Sequence, residues 1–313
     1  MRKFLAAVSA LALLPGAAHA ADDSAPHVFK PSGAWTADFG EDYCRLSRPF
    51  SDGAQQLTVA MERVEPVNRV RVVLIGSGVK VYRSADQFEN SHLPSRGSRK
   101  GPFWRSETAD KQQFLSMGEI MVGPAPSSGP GGPGAGGPPP APDYSKPAPF
   151  PPYDRAGELK FAEGINALAI TGGVTAPVEI NTGGLKAPVD VLQKCADDLL
   201  TYWGLDAARH QTMTRAAQPS MAPSEWLPSG AIGFGDFAKL GDSANQLRLL
   251  VSAEGKPTAC AVIRPSLEAR TNDTICKALM AKAQFFPALD AQGQAMASYW
   301  VTSPMFLMPP FRT

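Results

Sequence analysis

The chain has 313 residues, 43% of them hydrophobic and 19% charged, with a formal net charge of +1. That apolar content can build real cores, in two domains or in one domain with a large insertion. The near-neutral balance gives no electrostatic case for nucleic acid or an anionic membrane surface as a partner.

The first residues, MRKFLAAVSALALLPGAAHA, join a basic start at Arg2 and Lys3 to an apolar run and to small residues ending at Ala20. This layout predicts a secretory signal over residues 1–20, cleaved after Ala20. Its apolar run falls short of the roughly 20 residues that a membrane helix needs, so no stable span is expected once the signal is gone. The expected location is the periplasm. All four cysteines, Cys44, Cys195, Cys260 and Cys276, lie in the exported part, and an even count there favours two disulfides.

A β-rich N-terminal domain is expected over residues 21–215. WTADFGEDYCRL (35–46), QQLTVAMERV (55–64) and RVRVVLIG (69–76) alternate in part and are separated by Pro, Gly or Asp breaks. LPSRGSRKGPFWR (93–105) groups Arg96, Arg99, Lys100 and Arg105 around Phe103 and Trp104, and reads as a solvated basic loop rather than an anion site. Residues 123–152 hold 12 prolines and 7 glycines and have little to bury, so they read as a disordered spacer without chemistry. GELKFAEGINALAITGG (157–173) resumes a strand-like pattern. Val189, Leu192, Ala196, Leu199, Leu200 and Trp203 then recur at helical spacing, with Pro188 suited to the first turn and Gly204 to the stop. A Cys44–Cys195 bond is favoured. It would make the Pro/Gly segment an insertion within one domain. A linker is expected over residues 216–235.

The last part, residues 236–313, is the most regular. Leu247, Leu249 and Val251 alternate with Arg248, Leu250 and Ser252, the turn AEGK follows, and PTACAVI completes a hairpin. A helix capped by Thr271 or Asn272 is expected, with Ile275, Cys276, Leu279, Met280 and Ala283 as its apolar face. A final strand is expected over residues 297–307. Cys260 and Cys276 would staple strand to helix, worth on the order of 3 kcal/mol in the chain-entropy model. Their spacing is not Cys-x-x-Cys, and no histidine lies in the module, so redox and metal readings are weaker than a structural bond.

Other patterns carry little. IGSGV (75–79) lacks the spacers of a nucleophile elbow, and GFGDFA (233–238) lacks the third glycine of a dinucleotide loop, so both read as turns. Asp197 and Asp198 diverge by about 100° on a helix and do not form an acid/base pair. Trp35, Trp203 and Trp300 read as core anchors. The histidines provide no visible general base, and no cofactor or metal is expected.

LRLLVSAEGKPTACAVIRPS followed by TNDTICKALMAKAQFFPALDAQGQAMASYW resembles the C-terminal domain of the TonB energy-transducer family. The likeness rests on the hairpin turn at Gly255, the Phe285, Pro287 and Ala288 element and the DAQG turn, and covers roughly residues 236–310. More weakly, CRLSRPF with LQKCADDLLTYWGLD resembles uncharacterised exported bacterial proteins. The fold class expected is therefore α+β: the β-rich domain with its one prominent helix and Pro/Gly insertion, then a small TonB-like β-β-α-β domain. The resemblance implies a non-enzymatic module that adds a strand of an envelope protein or peptide, such as an outer-membrane TonB-dependent transporter, to its sheet edge. By analogy that edge is Ala297, Ser298, Tyr299, Trp300, Val301, Thr302 and Ser303, with Pro304 limiting the pairing. Self-association through the same strand is a further expectation. The alternatives are a membrane-anchored transducer, if residues 1–20 are retained, and an envelope enzyme with an unrecognised site in the N-terminal domain.

Overall fold

The computed structural model describes residues 25–94, 96–124, 143–148, 153–233, 235–236, 240 and 245–307. The signal expected over residues 1–20, most of the Pro/Gly segment and part of GFGDFA lie outside them. The fold is mixed α+β, mostly strands, with a large sheet and one helix near the C-terminus.

The N-terminal unit begins with β1 (His27–Pro31), β2 (Thr36–Phe39), β3 (Cys44–Ser51), β4 (Gln56–Arg63) and β5 (Arg69–Ile75). Cys44, Leu46 and Phe50 on β3, and Val70, Val72 and Leu74 on β5, point into one core at the strand period of two. IGSGV is a turn. Gly76 sits at φ +115°, and a Cβ there would lie 2.9 Å from the Gln56 carbonyl oxygen, so only glycine fits.

Next come β6 (Gln87–Leu93), β7 (Arg96–Pro102), β8 (Trp104–Glu107) and β9 (Gln113–Met121). The basic stretch is thus not a loop. β6 and β7 form a hairpin, and buried Phe103 stacks on Phe88 with ring centroids 4.0 Å apart, which drives the segment into the sheet.

After the Pro/Gly segment the chain forms α1 (Arg155–Glu163), β10 (Ala167–Gly172), β11 (Val178–Ile180), α2 (Lys186–Tyr202) and α3 (Ala207–Gln211). The strand-like reading of residues 157–163 is corrected to a helix. The Asp154 side chain caps it by accepting from the Gly157 N–H (2.8 Å), and its first turn drops Glu158 into a buried ion pair. The helix read over residues 189–203 is α2, and Gly204 ends it at φ +77°.

The large sheet runs β7-β6-β10-β11-β1-β3-β4-β5-β9-β8, with β2 beside β3. Two strands change partner midway. β1 pairs β11 through His27–Phe29 and β3 through Lys30–Pro31. The run β7–β8 pairs β6 with its first half and β9 with its second. Such strand switching turns corners between packed sheets. The enclosed core joins Phe29, Phe88 and Ile170 to Leu57, Leu74 and Leu115, and takes Val189, Leu192 and Leu199 from α2. It draws on residues from both sides of the Pro/Gly segment. The Cys44–Cys195 disulfide crosses that segment and ties β3 to α2, with Cα atoms 5.9 Å apart.

The chain continues with β12 (Gln218–Pro219), β13 (Gln246–Val251), β14 (Pro257–Ile263), α4 (Ala269–Lys282), β15 (Phe285–Phe286), β16 (Ala288–Leu289), β17 (Ala295–Met296) and β18 (Ser298–Thr302). Gly255, at φ +76°, packs so closely on the Phe285 carbonyl that a Cβ would lie 2.1 Å from its oxygen, and the Phe285 N–H donates to the Gly255 carbonyl (3.0 Å). The hairpin turn and the Phe-Phe-Pro-Ala element are therefore one contact. The second disulfide, Cys260–Cys276, joins β14 to α4.

Four expectations for this part are corrected. α4 starts before Thr271 and Asn272. Asn272 is buried within it and bonds the Asn245 side chain (2.8 Å), which in turn accepts from the Ser266 and Leu267 N–H groups. Met280 is 37% exposed, while Ile275, Leu279 and Ala283 are buried. The last strand stops at Thr302. Pro304 has no N–H to continue a ladder, and a 3-10 turn follows over Pro304–Leu307. Residues 216–235 are not a bare linker: β12 pairs β15, and Trp226, fully buried, packs on Phe285 and Trp300.

Candidate functional site

The C-terminal sheet is ordered β14-β13-β18, so β18 is an edge strand that pairs with β13 alone among the described residues. The phase of the ladder follows from the hairpin. The Ser252 N–H donates to the Lys256 carbonyl (2.8 Å) and Pro257 has no N–H, so Val251 and Pro257 form a non-hydrogen-bonded pair. The bulge at Thr258 then leaves the Leu250 carbonyl facing β14, where the Thr258 hydroxyl also donates to it (3.3 Å). Counting in twos, Leu247, Leu249 and Val251 face β18 and meet Thr302, Trp300 and Ser298. The backbone groups of Tyr299 and Val301 therefore point out along the free edge.

Both faces of this sheet are covered. On one side, Leu247, Leu249, Val251 and Trp300 pack with α4, Phe285 and Trp226. On the other, Leu250 and Tyr299 pack against the N-terminal core, with Tyr299 5.6 Å from the Trp203 ring and 6.1 Å from His210. Charged contacts line this interface. Arg248 is ion-paired with Asp42 (2.7 Å) and lies 3.9 Å over the Trp203 ring, Arg209 bonds Asp290 (2.6 Å), and Arg264 is ion-paired with Glu62 (3.0 Å). Burial pushes the Glu62 carboxyl up, but the guanidinium groups of Arg264, Arg71 and Arg45 outweigh it and hold the pKa below the ordinary value.

Of the residues read as the edge, Ser298, Tyr299, Trp300, Val301 and Thr302 lie in β18, whereas Ala297 precedes it and Ser303 begins the following turn. Just past that turn, Met305 and Phe306 are 42% and 77% exposed, an apolar surface directly beyond the strand. No family model, curated protein or solved structure matches the chain.

The structure also makes a juxtaposition that the sequence did not reveal. His210 Nε2 lies 3.1 Å from the Ser298 hydroxyl, and its Nδ1 lies 2.7 Å from the Asp206 carbonyl. The carbonyl can only accept, so Nδ1 carries the proton and Nε2 accepts from Ser298. Burial, partly opposed by the Asp206 carbonyl, lowers the His210 pKa and so favours the neutral ring. The order resembles nucleophile, base and orienter. Ser298, however, is 1% exposed and His210 9%, so the pair is sealed and serves to seat β18 on α3. Asp197 is spent on a two-point bond to Arg155 (2.9 Å each), as its divergence from Asp198 suggests. Among the described residues no group of three or more His, Cys, Asp or Glu is arranged to hold a metal, and no helix is long and apolar enough to cross a membrane.

Glu65, whose charge acts on Tyr299 of β18, gives the interface a pH response. Burial raises its pKa to about 7, with Arg69 opposing and Glu119 adding to the shift. A carboxyl raised in the fold contributes stability that is full below its ordinary value of 4.5 and is lost as pH climbs to about 7. Glu65→Gln should therefore melt higher than the parent chain at pH 8 and match it below pH 4.5. Melting curves that keep the same separation at both pH values would exclude this.

Proposed function

We propose that this chain is an exported periplasmic protein that holds an extended segment of another envelope protein by strand addition along β18. The observation that carries the reading is the outer edge of β18, where the backbone groups of Tyr299 and Val301 point away from β13 and meet no other strand among the described residues, with Met305 and Phe306 exposed beside them. An incoming strand would complete the ladder at Tyr299 and Val301 and gain apolar contact at Phe306. The TonB-like pattern of the module and the two disulfides, which persist in oxidising compartments, support the same reading. A transporter's N-terminal segment is the first partner to try.

The test is hydrogen exchange with peptides from the N-terminal segments of outer-membrane transporters. Binding should slow exchange at the Tyr299 and Val301 amides while Trp300, already bonded to β13, changes little. Val301→Pro removes an outward donor without touching the β13 ladder and should weaken binding. Unchanged exchange at saturating peptide, or full binding by the proline variant, would refute strand addition at this edge.

A further inference from the structure

The geometry points to β14, the opposite rim of the C-terminal sheet, as a seam at which two copies of this chain join. The inference rests on the fold alone and uses a different edge from the proposed peptide site.

β14 pairs only β13 among the described residues. Opposite Leu250, Arg248 and Gln246, its residues Ala259, Ala261 and Ile263 turn their backbone groups inward. The N–H and C=O groups of Cys260 and Val262 therefore point out. These two positions are symmetric about Ala261. A two-fold axis through Ala261 pairs Cys260 of each copy with Val262 of the other in hydrogen-bonded fashion, and sets the two Ala261 residues opposite each other. Antiparallel continuation then gives one six-stranded sheet, β18-β13-β14 followed by its mirror order in the second copy.

Three further features favour a second copy as the occupant. From Ala259 to Ile263 the strand has no charged residue, proline or bulge, so the stretch that would pair lacks the devices that keep edge strands apart; Pro257 and the bulge at Thr258 lie at its end. Self-pairing brings no like charges together across the axis. Thr258 and Ala259 are exposed, and the run Ala259-Cys260-Ala261 is small enough for close approach. The disulfide holds α4 over β14 at Cys276, and Met280, one turn further on the same stripe, is 37% exposed. Because the axis stands perpendicular to the sheet, it brings the two α4 helices to the same side of the joined sheet.

The experiment measures the molar mass of the disulfide-intact chain by light scattering from about 1 to 100 μM. The parent chain should show twice the monomer mass at the upper end. Ala261→Glu sets two carboxylates opposite each other and should return the mass to that of a monomer, with an unchanged circular dichroism spectrum. Ala261→Cys, mildly oxidised, should form a covalent dimer, because directly opposed non-hydrogen-bonded residues have Cα atoms about 4.5 Å apart. A monomeric parent chain across the range, a folded Ala261→Glu variant that stays dimeric, or an oxidised Ala261→Cys variant without a cross-link would each overturn the seam. If Ala261→Glu does not fold, the cross-link decides alone.

Discussion

Replacing Glu158 by alanine should lower stability by about 3–5 kcal/mol, the usual effect of breaking a buried ion pair from one side. Glu158 and Arg63 are both fully buried in their side chains and are in direct contact. The carboxylate also accepts from the Tyr153 hydroxyl and from Gln193 (2.6 Å), and Arg63 donates to Tyr153 (3.2 Å). Removing the carboxylate strands a guanidinium and two polar donors between β4, α1 and α2. Denaturant midpoints of Glu158→Ala and of the double variant Arg63→Met with Glu158→Leu separate the causes. The double variant should recover part of the loss, because no charge is left buried. A single variant that unfolds with the parent chain would show that the network contributes nothing.

Cys44→Ala with Cys195→Ala should have a loss of similar size. The bond spans 151 residues, and a loop of that length is worth about 5 kcal/mol in the chain-entropy model. The Cys260–Cys276 bond spans 16 residues and is worth about 3 kcal/mol on the same basis. Urea unfolding of the two double-alanine variants should therefore rank them in that order. The reverse ranking would mean that folded-state contacts, and not the restricted unfolded chain, govern both bonds.

Much of the C-terminal unit was legible because its signals are local. The alternation in β13, the turn at Gly255 and, in the N-terminal unit, the helical period of α2 each lie within one stretch of chain. Both cysteine pairings were also readable, since four cysteines split between two units leave one economical arrangement. What escaped depends on distant partners. GELKFAE alternates like a strand, but its Glu158 meets Arg63 across 95 residues and makes helix the better state. Residues 216–235 look like a tether by composition, yet Trp226 finds Phe285 and Trp300 only after the fold closes. The His210–Ser298 contact spans 88 residues and has no local trace. The candidate edge was readable as a strand, while its end at Thr302 followed from Pro304.

The double cover of the C-terminal sheet means that this unit is not a transferable cassette. A fragment starting at residue 236 would leave Trp226 behind and strip one wall from Trp300 and Phe285. It would also bare Tyr299 and Leu250, and leave Arg248 without Asp42 and Trp203. Recombination between proteins at that boundary would pass on a strand-helix pattern without the walls that hold it. A chain cut at residue 236 should therefore be less stable than the same segment within the whole protein.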